Sequence, residues 1–158
     1  MKRCTQLFMA VLSFFLISCG EQTKVETAST PVVVHLTAEN GKPLGPAIKY
    51  MPEWKAFGWF TAKDSVEWEA DIPAAGEYNV QMEWSVSDED AGKEFILIAD
   101  KDQLTGIVDK SGSWETYKTK DVGSINLEQG KQKFIFRSNT KFDEGAILDL
   151  RSLKLEKK

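Results

Sequence analysis

Histidine and cysteine are almost absent from this chain of 158 residues, which has one histidine, His35, and two cysteines, Cys4 and Cys19. That scarcity excludes much common chemistry. A single imidazole with no cysteine or second histidine nearby makes a poor transition-metal site, and His35 lies in a run that reads as a strand. The sequence has no nucleophile elbow, no glycine-rich phosphate loop and no metal-ligand spacing. Paired carboxylates can hydrolyse glycosides, but acidic residues by themselves are unspecific. Also missing are internal repeats, coiled-coil heptads, low-complexity blocks and, beyond the N-terminal segment, any long helical stripe. A domain with so little catalytic equipment is expected to bind and not to catalyse.

What is present begins at the N-terminus. Lys2 and Arg3 precede an uncharged run from Leu7 to Ile17. The run is too short for a bilayer core of about 30 Å, which takes about 20 apolar residues, and it has the charged-then-apolar form of a cleaved signal peptide. Leu16-Ile17-Ser18-Cys19 resembles a lipobox, in which the cysteine thiol receives a diacylglycerol before cleavage. Residues 1–18 are therefore expected to be a lipoprotein signal peptide and Cys19 the site of lipidation. No comparable apolar run follows, so lipid is the expected membrane anchor of an exported, cell-envelope protein. Gly20 suits an outer membrane if the cell has two. Cleavage removes Cys4 and leaves only Cys19, whose sulfur is used by the lipid. No disulfide can then form within a monomer, and stability must come from the core. Formal charge moves from −4 to −6 as Lys2 and Arg3 leave, which argues against nucleic acid as a partner.

Residues 19–31 read as a flexible tether, polar and free of aromatics. Residues 32–158 are enough for one domain with one substantial core. Their hydrophobic period is 2. Val66, Trp68, Ala70 and Ile72 alternate with Glu67, Glu69 and Asp71; Tyr78, Val80, Met82, Trp84 and Val86 alternate with Asn79, Gln81, Glu83 and Ser85. Such patterns predict strands with one buried and one wet face. Val33–Ala38, Phe95–Ala99, Leu104–Val108, Val122–Leu127, Lys133–Arg137 and Ile147–Leu155 are further strand candidates. Turn residues separate several of them at 73–76, 100–103 and 128–131. Many short, evenly spaced antiparallel strands predict an all-β, two-sheet sandwich.

The order of these pieces is itself informative. Ala38-Glu39-Asn40 opens the domain, and Asp64-Ser65-Val66-Glu67-Trp68 leads through Ile72-Pro73 to Gly76-Glu77-Tyr78. Ser111-Gly112-Ser113-Trp114-Glu115-Thr116-Tyr117, Leu127-Glu128-Gln129-Gly130 and Leu148-Asp149-Leu150-Arg151-Ser152-Leu153 follow. From Val34 to Leu155 this resembles the family 6 and family 35 carbohydrate-binding modules, which are galactose-binding-domain-like jelly rolls. The resemblance implies a sugar site in the loops at one end of the sandwich. Trp59 and Trp114 match the positions that supply stacking aromatics, and Asp149 matches a polar residue that binds sugar hydroxyls. An exposed indole covers the C–H face of a pyranose, and a carboxylate accepts hydroxyl protons. The resemblance also implies a calcium near the first and last strands. Here Glu39 remains, but Thr37 and Arg151 stand where other ligands are expected, and a guanidinium repels the ion. The expectation is therefore no metal and no cofactor, with a buried Glu39–Arg151 ion pair tying the first strand to the last.

Other features are weighed the same way. Trp54, Phe57, Trp59 and Phe60 form an aromatic cluster around Gly58 that serves either as a binding platform or as a segment folded over the core. Trp68 and Trp84 fall on the buried phase of their strands. The acidic runs 88–90 and 143–144 read as solvated hairpins. Two functions remain in view. One is a lipid-anchored, non-catalytic domain holding a glycan or polysaccharide at the envelope; the other is an assembly module docking onto a protein partner such as a polysaccharide-degrading enzyme. Exposed Trp59 and Trp114 at one loop end would favour the first, and a flat apolar sheet face the second.

Overall fold

A computed structural model describes residues 31–158. The expected signal peptide, the expected lipidation site Cys19 and the expected tether up to residue 30 lie outside the described residues. Eleven strands form among the described residues: β1 (Val33–Thr37), β2 (Lys42–Leu44), β3 (Lys49–Met51), β4 (Ala56–Gly58), β5 (Ser65–Ile72), β6 (Gly76–Ser85), β7 (Glu94–Ala99), β8 (Gln103–Ile107), β9 (Lys118–Leu127), β10 (Gly130–Ser138) and β11 (Asp149–Lys157). They make two antiparallel sheets. One runs β3-β4-β11-β6-β9, with β1 also paired to β11; the other runs β2-β5-β10-β7-β8. The expected all-β jelly-roll sandwich is the fold observed.

The alternation in the sequence becomes the interior. Val66, Trp68 and Ile72 of β5 face Tyr78, Val80, Met82 and Trp84 of β6 across one continuous core, while Glu67, Glu69 and Asp71 stay outside it. Burying indoles and a phenol requires partners for their polar atoms. Trp68 Nε1 donates to the Thr37 carbonyl at 2.8 Å, Trp84 Nε1 to the Asp109 carbonyl at 3.0 Å, and the Tyr78 hydroxyl to the Ala74 carbonyl at 2.6 Å. Three strands go beyond the periodic reading. β2, β3 and β4 have three residues each, too few to display alternation. β9 starts at Lys118, earlier than expected, because it is a sheet edge whose first residues, Lys118–Asp121, are polar.

β11 carries a β-bulge at Arg151: Leu150 pairs with Trp84 and Ser152 with Glu83, leaving Arg151 as the extra residue. A bulge re-aims side chains, and this one overturns the expected Glu39–Arg151 ion pair. Arg151 and Ser152 both face Glu83, with Arg151 Nη1 at 2.7 Å from Glu83 Oε1 and Ser152 Oγ at 3.3 Å from Glu83 Oε2. Arg151 Nε donates to the Trp54 carbonyl at 3.0 Å, and the guanidinium lies 3.5 Å from the Tyr117 ring centroid. Glu39 sits instead in the turn after β1, 3.6 Å from Lys55 Nζ, with both side chains more than half exposed. The first and last strands are tied there by backbone: the Ala38 N–H donates to the Arg151 carbonyl at 2.9 Å. These residues do not fit a calcium site. Arg151 is committed to Glu83, and Thr37 is closed into a turn by hydrogen bonds with Asn40. Among the described residues, no three acidic, histidine or cysteine side chains gather to hold a metal.

Candidate functional site

At one end of the sandwich, three loops and two strand ends surround a cavity of about 270 Å³ lined by Met51, Trp59, Trp114, Ala146 and Asp149. A second depression of about 330 Å³ adjoins it and shares Trp59, Trp114 and Ala146. Each is near the lower end of the range for small-ligand sites, about 300–1,000 Å³. The three residues named from the sequence therefore line one cavity, although they are 90 positions apart at the extremes.

Trp59 owes its exposure to its backbone. Phe57 and Phe60 are fully buried, Phe60 edge-on to Phe136 at 5.9 Å, and the Phe60 carbonyl accepts the Ile147 N–H at 2.7 Å. Between them Trp59 adopts φ = 52°, a left-handed conformation uncommon for a bulky residue. The reversal turns the indole outward, and it is 58% exposed, the most exposed large hydrophobic side chain among the described residues. Strain of this kind collects at functional sites. The loop is held by Asp64, only 2% exposed, whose carboxylate accepts the Thr61 hydroxyl at 2.6 Å and the amides of Thr61 and Ala47 at 2.8 and 3.1 Å. Burial pushes Asp64 upward, but the hydrogen bonds from the Thr61 hydroxyl and the Ala47, Thr61 and Ile48 amides outweigh it and hold the carboxyl below its usual range. The aromatic cluster thus divides: Phe57 and Phe60 are core, Trp59 is rim, and Trp54, 37% exposed, stacks on Tyr117 at 6.1 Å.

Trp114 sits in a turn stitched to the end of β6. The Ser85 hydroxyl donates to the Trp114 carbonyl at 2.8 Å, and Ser111 Oγ accepts the Val86 N–H at 2.8 Å. The indole both rests on the core and lines the cavity. Lys93 shapes the neighbouring wall. Its ammonium donates to the Ala146 carbonyl at 2.9 Å, pairs with Asp90 Oδ1 at 2.7 Å and lies 4.9 Å from the Phe142 ring centroid. Of the run 88–90, Asp90 is therefore structural, while Asp88 makes only an exposed contact with Lys110 at 3.6 Å.

Asp149 opens β11 opposite Ser85 and points over Gly58, where an added Cβ would come within 3.0 Å of its Oδ1 and 2.6 Å of the Met51 methyl. Glycine at 58 is what leaves room for these two cavity walls. Among the described residues the Asp149 carboxylate has no hydrogen-bond donor and no ion-pair partner, and burial pushes it up to about 7. Nearby, the Tyr117 hydroxyl is buried without a partner, Ser85 Oγ being committed to Trp114. Burial likewise raises the Tyr117 hydroxyl above its usual range. Met51, Ala146, Lys93 and Asp64 were not legible as site residues. Apolar walls and buried clamps carry no local sequence signal, although the Asp64-Ser-Val-Glu-Trp start of β5 does mark where the loop returns to the sandwich.

No protein-family model and no curated protein matches this sequence. Solved structures do match the coordinates. A family 35 carbohydrate-binding module from Clostridium thermocellum superposes with a TM-score of 0.64 at 15% identity, over 78% of this chain and 96% of that one. A family 6 module of the Cellvibrio mixtus lichenase 5A, solved with cellotriose, gives 0.63 at 17% identity, over 80% and 98%. An exo-β-1,3-galactanase from Phanerochaete chrysosporium, solved with β-1,3-galactotriose, gives 0.63 at 17% identity, over 80% of this chain but 30% of the enzyme. The chain has the two-sheet jelly-roll fold of the family 35 and family 6 carbohydrate-binding modules.

Proposed function

We propose that this protein is a lipid-anchored, non-catalytic sugar-binding protein of the cell envelope, which holds a glycan or polysaccharide against Trp59, Trp114 and Asp149. One observation carries the reading: an indole forced outward by a left-handed backbone stands over a cavity that ends in an unpartnered carboxylate. The indoles offer apolar surface to a pyranose face, and Asp149 offers an acceptor to its hydroxyls. That a solved family 6 module of this fold contains cellotriose supports the ligand class. The lipobox-like Leu16–Cys19 supports the anchor. In Cys19→Ala the precursor should stay unlipidated and membrane retention should be lost, and an unmodified Cys19 in the mass spectrum of the mature protein would end that part of the proposal.

The test of the site is a glycan array with the full chain, followed by calorimetry on a glycan that binds. Trp59→Ala and Trp114→Ala should each weaken binding by about 1–3 kcal/mol, about 5- to 150-fold, with the fold intact. Unchanged affinity in both variants moves the site elsewhere. The docking reading also has a foothold. Ile98 and Ile107 of β7 and β8, with Ile135 of β10, lie on the outward face of the five-stranded sheet, and Ile107 is 55% exposed. If that face serves a protein partner, Ile107→Asp should abolish co-purification of the partner and leave glycan binding untouched.

A further inference from the structure

Around the cavity, almost every charge is either engaged or on the rim. Lys93 is held by Asp90, and Arg151 by Glu83. Lys49 of β3 lies 5.6 Å from the Trp59 ring centroid and is exposed. Glu53 before Trp54, Glu115 beside Trp114, and Asp143 and Glu144 before Ala146 are exposed in the loops. Asp149 alone lines the cavity, with apolar Met51, Trp59, Trp114 and Ala146 as the other walls. Among the described residues the cavity wall therefore holds one charged group, Asp149, and the unpaired cation near it, Lys49, stands over the Trp59 indole at the exposed rim.

Resting on the sugar-binding reading, we propose that the cavity selects by charge: it takes a sugar unit presenting hydroxyl or ammonium donors and excludes one bearing a carboxylate, with Asp149 as the selecting residue. A hydroxyl satisfies Asp149 in either protonation state, donating to the carboxylate or accepting from the acid. A uronate does not. Two carboxylates confined to one cavity cannot both ionise easily, so an acidic sugar enters only the protonated form. Asp149 is already held at about 7 by burial. The competent fraction, and with it the affinity for a uronate, then falls roughly tenfold per pH unit above that value, about 100-fold between pH 6 and pH 9. Affinity for a neutral sugar changes far less.

The experiment compares the full chain and Asp149→Asn for binding of cellotriose and β-1,3-galactotriose, and of their counterparts oxidised to uronates at C6, at pH 6 and pH 9. The wild type should bind a neutral probe at both pH values and its uronate only at pH 6. Asp149→Asn, which keeps shape without charge, should bind the uronate equally at both. A wild type that binds a uronate at pH 9 as tightly as the neutral probe overturns charge selection; if Trp59→Ala then abolishes that binding, the sugar site itself stands. No binding of any probe by either protein overturns both readings. The pH response of the wild type decides the matter even if Asp149→Asn fails to fold.

Discussion

Replacing Trp59 with glycine and with alanine should give opposite results from the usual order. At an ordinary strand position glycine is less stable than alanine by roughly 0.5–1 kcal/mol, because its unfolded chain has more freedom to lose. At Trp59 the backbone is left-handed, φ = 52°, which costs an L-residue roughly 1–2 kcal/mol and glycine nothing. The difference leaves glycine ahead by about 0.5–1 kcal/mol. Both variants lose the covered part of the indole. Trp59 is 58% exposed, so roughly 100 Å² of a side chain that can bury about 250 Å² is covered. At about 25 cal/mol/Å² that is at most about 2.5 kcal/mol. Trp59→Ala should therefore be the least stable of the three proteins, Trp59→Gly intermediate, and both should bind ligand more weakly. Urea denaturation measures the order; in melts, glycine should exceed alanine by about 2–4 °C. The same pair at Glu69, exposed in the middle of β5, should show alanine ahead. If alanine equals or exceeds glycine at 59, the left-handed backbone is not what holds the indole out.

The corrected ion pair gives a second prediction. The Arg151 and Glu83 side chains are about 30% exposed, between the surface case of about 0–1 kcal/mol and the buried case of about 3–5. Arg151→Ala should cost about 2 kcal/mol; a double-mutant cycle should couple it to Glu83 by about 1 kcal/mol and to Glu39 by none, and coupling to Glu39 would refute the bulge geometry. Asp64 gives a third. Its folded carboxyl lies below its ordinary value, so the stability it supplies is present above the unfolded value of about 4 and is lost as pH falls through the folded one. Asp64→Asn should destabilise by about 2–3 kcal/mol at pH 7, with the gap to wild type closing below about pH 4 in acid titrations followed by tryptophan fluorescence. A gap that stays constant to pH 2 would mean that ionisation of Asp64 contributes nothing.

Much of this molecule was readable in one dimension. Period-2 alternation is a property of neighbouring residues, so β5, β6, β7, β8, β10 and β11 and the turns between them could be seen directly. The buried phases of Trp68 and Trp84 followed from the same rule. Trp59, Trp114 and Asp149 were named through the order of the pieces. That they share a cavity depends on three loops meeting at one end of two sheets, which only the packing of those sheets decides.

The sequence by itself determined an all-β sandwich and its long strands, because both are written in local pattern. Tertiary structure alone decided the partner of Arg151, since one extra residue in β11 turns its guanidinium onto Glu83, 68 positions away, and leaves Glu39 to Lys55. It also decided that Asp149 has no partner among the described residues and is pushed up to about 7 by burial, because the walls Met51, Trp59, Trp114 and Ala146 are brought together by no stretch of neighbouring sequence.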